Sequence, residues 1–167
     1  MIMSPAAYLD RHQTDLTDLL RRLVNVPTVN PPGAHYDAIT ALLTRELRAL
    51  GLITRRYTIS QSELRRHLPA GQHAFPRYNV LGQLHVRSAT KTVHFNAHYD
   101  VVPVAGTWRH GSPFSGKVDA GWIYGRGTAD MKGSHASLLM ALRALRATGT
   151  APRMNIEVSF TADEETD

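Results

Sequence analysis

The stretch from Thr92 to Gly133, TVHFNAHYDVVPVAGTWRHGSPFSGKVDAGWIYGRGTADMKG, limits the folds open to this chain more than any other feature. It sets a strand, glycine-rich turns and two kinds of metal-ligating side chain close together. Val93 to Tyr99 is rich in β-branched, aromatic and apolar residues and reads as a buried strand. It runs straight into His98-Tyr99-Asp100, which puts an imidazole and a carboxylate at the strand's C-terminal end. Residues i and i+2 of a strand face the same side. An Asp so placed can take one ring N–H of a histidine whose other nitrogen binds a metal, which fixes the tautomer and raises the ligand's basicity. His94 lies on the same face but lacks the x-Asp partner that singles out His98. Downstream, Gly125, Gly127 and Gly133 bracket Asp130 just before a helix begins.

Around this stretch the chain alternates helices and strands. Ser4-Pro5 is an N-cap with proline at the first helical position, and Leu9, Leu16, Leu19, Leu20 and Leu23 recur at helical spacing up to Pro27. The connection VPTVNPPG leads to a second helix over about Tyr36 to Leu50, ended by Gly51. Strands are expected over Leu52 to Ser60, Tyr78 to Val86 and Met154 to Thr161, with short extended pieces around Lys117 to Tyr124. A long helix covers Ser134 to Ala147, and Gln61 to Arg77 reads as a surface loop holding a short helix around Glu63 to Leu68. The pattern implies an α/β fold, a three-layer sheet with helices on both faces.

Composition narrows the function classes. The 167 residues suffice for one domain with a real core. At 43% hydrophobic and 20% charged the chain is an ordinary globular one, and no apolar run nears the roughly 20 residues that span a bilayer. The N-terminus lacks the pattern of a signal peptide, so cytoplasmic residence is the expectation. A net charge of +5 is spread over helix faces without aromatic interleaving, which argues against nucleic-acid binding. With no cysteine, a metal site must be built from His, Asp and Glu.

Three clusters qualify. His98/Asp100 and Glu164/Glu165 follow strands, and Asp130 lies in a glycine turn before a helix; sites of open α/β sheets lie beyond the strands' carboxyl ends. Imidazole and carboxylate donors without sulfur suit zinc, manganese or cobalt. A carboxylate such as Asp130 can bridge two metals about 3.5–4 Å apart, which together bind a carbonyl and acidify a water. A further carboxylate must then move the water's proton to the leaving nitrogen. Adjacent residues of an extended chain point apart, so one of Glu164 and Glu165 can ligate while the other faces the water. His85, His110 and His135 are read as structural residues.

In order and approximate spacing, VPTVNPPG, RYNVLGQL, HYDVVPV, the Trp108/Pro113-Phe114 loop, GWIYGRGTADMKG and SFTADEET resemble the co-catalytic zinc metallopeptidases and deacylases. That family includes aminoacylase, acetylornithine deacetylase, succinyl-diaminopimelate desuccinylase and glutamate-releasing carboxypeptidases. The resemblance implies a zinc-peptidase-like catalytic domain with two divalent ions, zinc or else cobalt or manganese. It makes His98 a ligand of one metal, Asp130 the bridge, Glu165 a ligand of the other metal, Glu164 the general base and Asp100 the acid that orients His98. It also implies a cis peptide bond after Asp130. The implied substrate is an N-acyl amino acid or small peptide, cleaved at its amide bond. In the family a further acidic ligand, a lid domain through which a homodimer forms and a His ligand lie beyond the Glu-Glu pair. Residues 1–167 are therefore expected to be the N-terminal portion of a single catalytic domain, truncated at its C-terminal side. The alternative expectation is a non-catalytic α/β fragment that binds metal weakly.

Overall fold

The computed structural model describes residues 3–166. Ser4 caps α1 (Pro5–Arg11) by accepting from the Ala7 N–H at 3.2 Å. The leucine periodicity suggested one helix running on to Pro27, but the chain breaks at His12, where α2 (Gln13–Val24) begins. His12 leaves helical geometry (φ −117°, ψ 29°), bonds the Tyr8 carbonyl through Nδ1 at 2.7 Å and stacks on the Tyr8 ring. Next come α3 (Tyr36–Ala49), β1 (Ile53–Thr58), α4 (Gln61–His67), β2 (Tyr78–Leu84) and β3 (Thr92–His98). A small hairpin of β4 (Lys117–Asp119) and β5 (Trp122–Tyr124) follows, then α5 (Gly133–Ala147) and β6 (Asn155–Thr161).

The main sheet has the order β1-β2-β6-β3. Its β1/β2 and β2/β6 pairs are antiparallel, whereas β3 and β6 are parallel and joined through α5. That parallel pair does most to position the site. Its register sets His98 opposite Thr161, so the segments that follow leave the sheet side by side. Two motifs more than sixty residues apart therefore meet.

α2, α3 and α5 form one layer, tied together by Glu46, which accepts from Arg22 at 2.5 Å and Arg143 at 3.2 Å. Leu23, Val24, Ile39, Leu43, Leu47, Val80, Leu139, Met140, Val158 and Phe160 are almost wholly buried. Each such side chain contributes on the order of 1.5–3 kcal/mol relative to exposure. On the other face, α4 inserts the buried Leu64 beside Asn79 and Ala162. β3 differs from the buried strand expected of it: only Ala97 and His98 are buried, and Phe95 is 40% exposed. Among the described residues β3 pairs with β6 alone, so it is an edge strand, and apolar composition does not distinguish an edge from a centre.

The proline-rich segment after α2 is structurally tied to the site. Val29 bridges to Val101, Val101 N donates to the Thr28 carbonyl at 3.0 Å, and Asn30 N donates to the Val101 carbonyl at 2.9 Å. Thr28 Oγ1 donates to the Tyr99 carbonyl at 2.5 Å. The chain leaving β3 is thereby held as though in a sheet, and Asp100 is carried into the interior.

Candidate metal centre

His98 ends β3 with only 6% exposure. Its Nε2 lies 3.0 Å from Asp130 Oδ1 and 3.8 Å from Glu164 Oε2. Its Nδ1 faces the Asp100 carbonyl at 3.2 Å, and the Asp100 carboxylate stands 3.5 Å away. The i, i+2 spacing led us to expect one ring N–H on the Asp100 carboxylate, whereas the hydrogen bond is made to the backbone oxygen of the same residue. Either acceptor favours a proton on Nδ1 and leaves Nε2 facing the cleft.

The Asp100 carboxylate, itself fully buried, holds the second motif. Its Oδ1 accepts the Glu164 N–H at 3.3 Å, and its Oδ2 accepts the Glu165 N–H at 3.0 Å and the Asn30 amide at 3.2 Å. One carboxylate thus fixes the backbone of both glutamates. Donor atoms of His98, Glu164 and Glu165 lie within 4.8 Å of one another. Asp130 reaches the same imidazole from the turn Thr128–Lys132, and the Asp130–Met131 peptide is cis. In that turn Gly127 (φ +85°) adopts a left-handed conformation, and a Cβ there would press on Val101. His94, the alternative on β3, bonds Ser159 Oγ at 2.8 Å and takes no part.

The electrostatics fit a cation. Burial works to lower the His98 pKa, but the hydrogen bond with Asp130 and the charges of Asp100 and Glu164 outweigh it, and the net shift is upward. The Glu165 carboxyl is pushed up by burial first and then by the charge of Asp130. Carboxylates crowded in this way around one imidazole favour a cation among them. The donors are oxygen and nitrogen only, which suits zinc, manganese or cobalt. A cavity of about 330 Å³ opens beside Glu165, between Pro31, His67, Leu68 and Gln72.

Two buried bases support the cleft from behind. Lys132, fully buried, donates from Nζ to the Val26 carbonyl at 2.7 Å. Burial lowers its pKa to about 7 against the opposing pull of Asp100. His135, 1% exposed, bonds the Met131 carbonyl through Nδ1 at 3.0 Å, packs on Phe160, and its Nε2 finds no partner among the described residues. Burial lowers its pKa from 6.5 to about 4. As pH falls, the unfolded chain therefore takes up the His135 proton first. Stability present above pH 6.5 is lost down to about pH 4, by roughly 3 kcal/mol for this group. Urea unfolding at pH 7 and pH 4 should show a smaller acid loss for His135→Leu than for the parent, by about that amount. Equal losses in the two proteins would remove His135 from the acid response.

Sequence reasoning brought together His98, Asp100, Asp130, Glu164 and Glu165. It missed Asn30, Tyr36, Arg77 and the particular part played by Asp163, whose partners lie far away in sequence. The only local hint was the position of Asn30 and Arg77 inside motifs already noted.

Residues 94–167 match the profile of Peptidase family M20/M25/M40. A succinyl-diaminopimelate desuccinylase of Bradyrhizobium sp. (strain ORS 278) is 35% identical over 156 residues, which are 91% of this chain and 36% of that protein. The enzyme of the same name from Alkalilimnicola ehrlichii is 47% identical over 73 residues, 42% of this chain and 19% of that one. Among solved structures, human carnosine dipeptidase 1 superposes with a TM-score of 0.75 at 25% identity, over 92% of this chain and 33% of its own. The dipeptidase Dug1p of Saccharomyces cerevisiae gives 0.81 at 21% identity, over 95% and 34%, a likeness of fold. The chain spans about a third of the length of several of these relatives. Fold, motif order and sequence similarity converge on peptidase family M20/M25/M40, whose profile residues 94–167 match.

Proposed function

We propose that this chain carries part of the active site of a metal-dependent hydrolase that cleaves the amide bond of an N-acyl amino acid or small peptide, of the desuccinylase type. The observation that carries this reading is the meeting of His98 Nε2 with Asp130, Glu164 and Glu165, while Asp100 holds the far side of the imidazole. His98, Asp130 and Glu165 would hold the ions. When bound, a pair of divalent ions polarises the scissile carbonyl and acidifies water. Glu164 accepts a proton from the attacking water and returns it to the leaving nitrogen. Its side chain is 64% exposed and lies 3.8 Å from His98 Nε2, at the open side of the cleft. Asp100 keeps the His98 ring oriented and both glutamate backbones in place. The cavity beside Glu165 has room for part of a substrate.

The donors in residues 1–167 account for part of the ligand set the resemblance implies, and the relatives are about three times as long as the aligned region. Further ligands, a lid and a dimer contact are assigned to that additional length. The test compares the whole protein that carries this chain with residues 1–167 alone, on N-succinyl and N-acetyl amino acids and on dipeptides. The whole protein should turn over at least one class, lose activity with chelator and regain it with zinc or cobalt. The isolated chain should be inactive even with excess metal, and zinc-dependent turnover by it would contradict the assignment of further ligands. Chelator-insensitive hydrolysis, or none on any class, would contradict the proposed function.

A further inference from the structure

We propose that Arg77 and Asp163 are positioning residues of this centre: their buried ion pair, shared with Asn30 and Tyr36, fixes the turn that aims Glu164 and Glu165. The inference rests on the metal-centre reading above and adds to it residues that touch none of its donor atoms.

Arg77, just before β2, is 2% exposed, and its guanidinium is almost fully engaged. Nε donates to Asp163 Oδ2 at 2.8 Å and to Oδ1 at 3.1 Å. Nη1 donates to the carbonyls of Pro32 at 2.9 Å and Phe75 at 2.8 Å, and Nη2 donates to Gln72 Oε1 at 2.8 Å. A Cβ at Gly33 (φ +93°) would overlap the guanidinium, so the proline-rich segment leaves room for it only because that residue is glycine. The planar fork therefore joins three stretches of chain in one geometry, which a flexible ammonium would not do.

Asp163 is the receiving end. It holds a left-handed backbone (φ 63°), tolerated by Asp and Asn, at the point where β6 turns back toward the cleft. Its Oδ1 also accepts from Asn30 Nδ2 at 2.9 Å and from the Tyr36 hydroxyl at 3.0 Å. Burial and the charges of Asp100 and Asp163 keep that hydroxyl protonated, so it donates. Asn30 uses the same amide group to reach Asp100 Oδ2, and Asp100 in turn grips the N–H groups of Glu164 and Glu165. A continuous polar chain thus runs from Arg77 through Asp163 and Asn30 to the carboxylate that sets both glutamates. Buried ion pairs are a weak source of stability, because desolvation offsets their attraction. What this one supplies is a single conformation of the turn.

The experiment measures Co(II) affinity, by competition with a chromophoric chelator, and the Co(II) d–d absorption of the whole protein. The parent is compared with Asp163→Asn and with Arg77→Met/Asp163→Asn, which removes both charges and leaves no lone buried ion. Thermal unfolding of each metal-free protein reports folding separately. Folded variants should bind Co(II) about 10–100-fold more weakly, with a changed d–d band that a purely stabilising role would not produce. A folded variant with parental affinity and spectrum overturns the proposal, and Asp163→Asn alone decides if the double variant does not fold. A parent that binds no Co(II) overturns the metal-centre reading and this inference with it. A parent that binds, with His98→Ala impaired and the Asp163 variants unchanged, overturns the positioning role alone.

Discussion

Glu164→Ala in the whole protein is expected to lower kcat by about 10²–10⁴-fold, the usual contribution of a positioned general base, with little change in metal affinity. The Glu164 carboxylate stands 3.8 Å from His98 Nε2 yet is 64% exposed, while Glu165 is half-buried beside the Asp130 charge. The more exposed carboxylate is suited to carrying a proton to and from solvent-borne groups and the half-buried one to serving as a ligand. Both backbone N–H groups end on one carboxylate, Asp100, so truncating either side chain leaves the turn itself intact. Glu165→Ala should give the converse result, with metal affinity falling first and activity following it. Steady-state kinetics at saturating metal, with Kd measured separately, distinguishes the two. If Glu164→Ala lost metal while Glu165→Ala kept it, the roles would be exchanged; if Glu164→Ala kept full activity, no base would reside there.

The parts of this site legible in the sequence were those coded locally. A strand running into His-x-Asp, a glycine turn around Asp130 and a strand followed by paired glutamates each announce themselves within a few residues, and α/β topology supplies the reason they meet. The parallel pairing of β3 with β6 then sets His98 beside Thr161 in the sheet. Illegible were the long-range polar contacts. Arg77 and Asp163 are 86 residues apart, and Asn30 and Asp163 are 133 apart. Nothing in the local pattern around a proline-rich connection or a polar loop says that it will surround a buried guanidinium. The same holds for β3, whose composition suits a central strand but whose place is decided by which neighbours it finds, and for the break at His12, where a ring stacked on Tyr8 overrides leucine spacing. His135, read as a structural residue, is buried on α5 against Phe160, though the extent of that burial depends on packing that no local pattern specifies.

His98→Ala should cause the largest loss of metal affinity, exceeding the 10–100-fold typical of losing only an outer partner. It removes the nitrogen donor facing Asp130 and Glu164 while leaving Asp100 bound to the glutamate N–H groups. The pH dependence gives a second sign. The neighbouring carboxylates hold the His98 pKa above its ordinary value, and a metal must displace that proton. Affinity of the parent should therefore rise with pH through the raised His98 pKa, and that rise should flatten in His98→Ala. The decisive measurement is a zinc or cobalt titration of the metal-free whole protein and its His98→Ala variant across this pH range, with folding verified at each pH. Tight, pH-dependent binding by the parent and its loss in the variant is the result expected of a metal centre built on His98, Asp130 and Glu165. Equal affinity in the two folded proteins, or none in the parent, would contradict it.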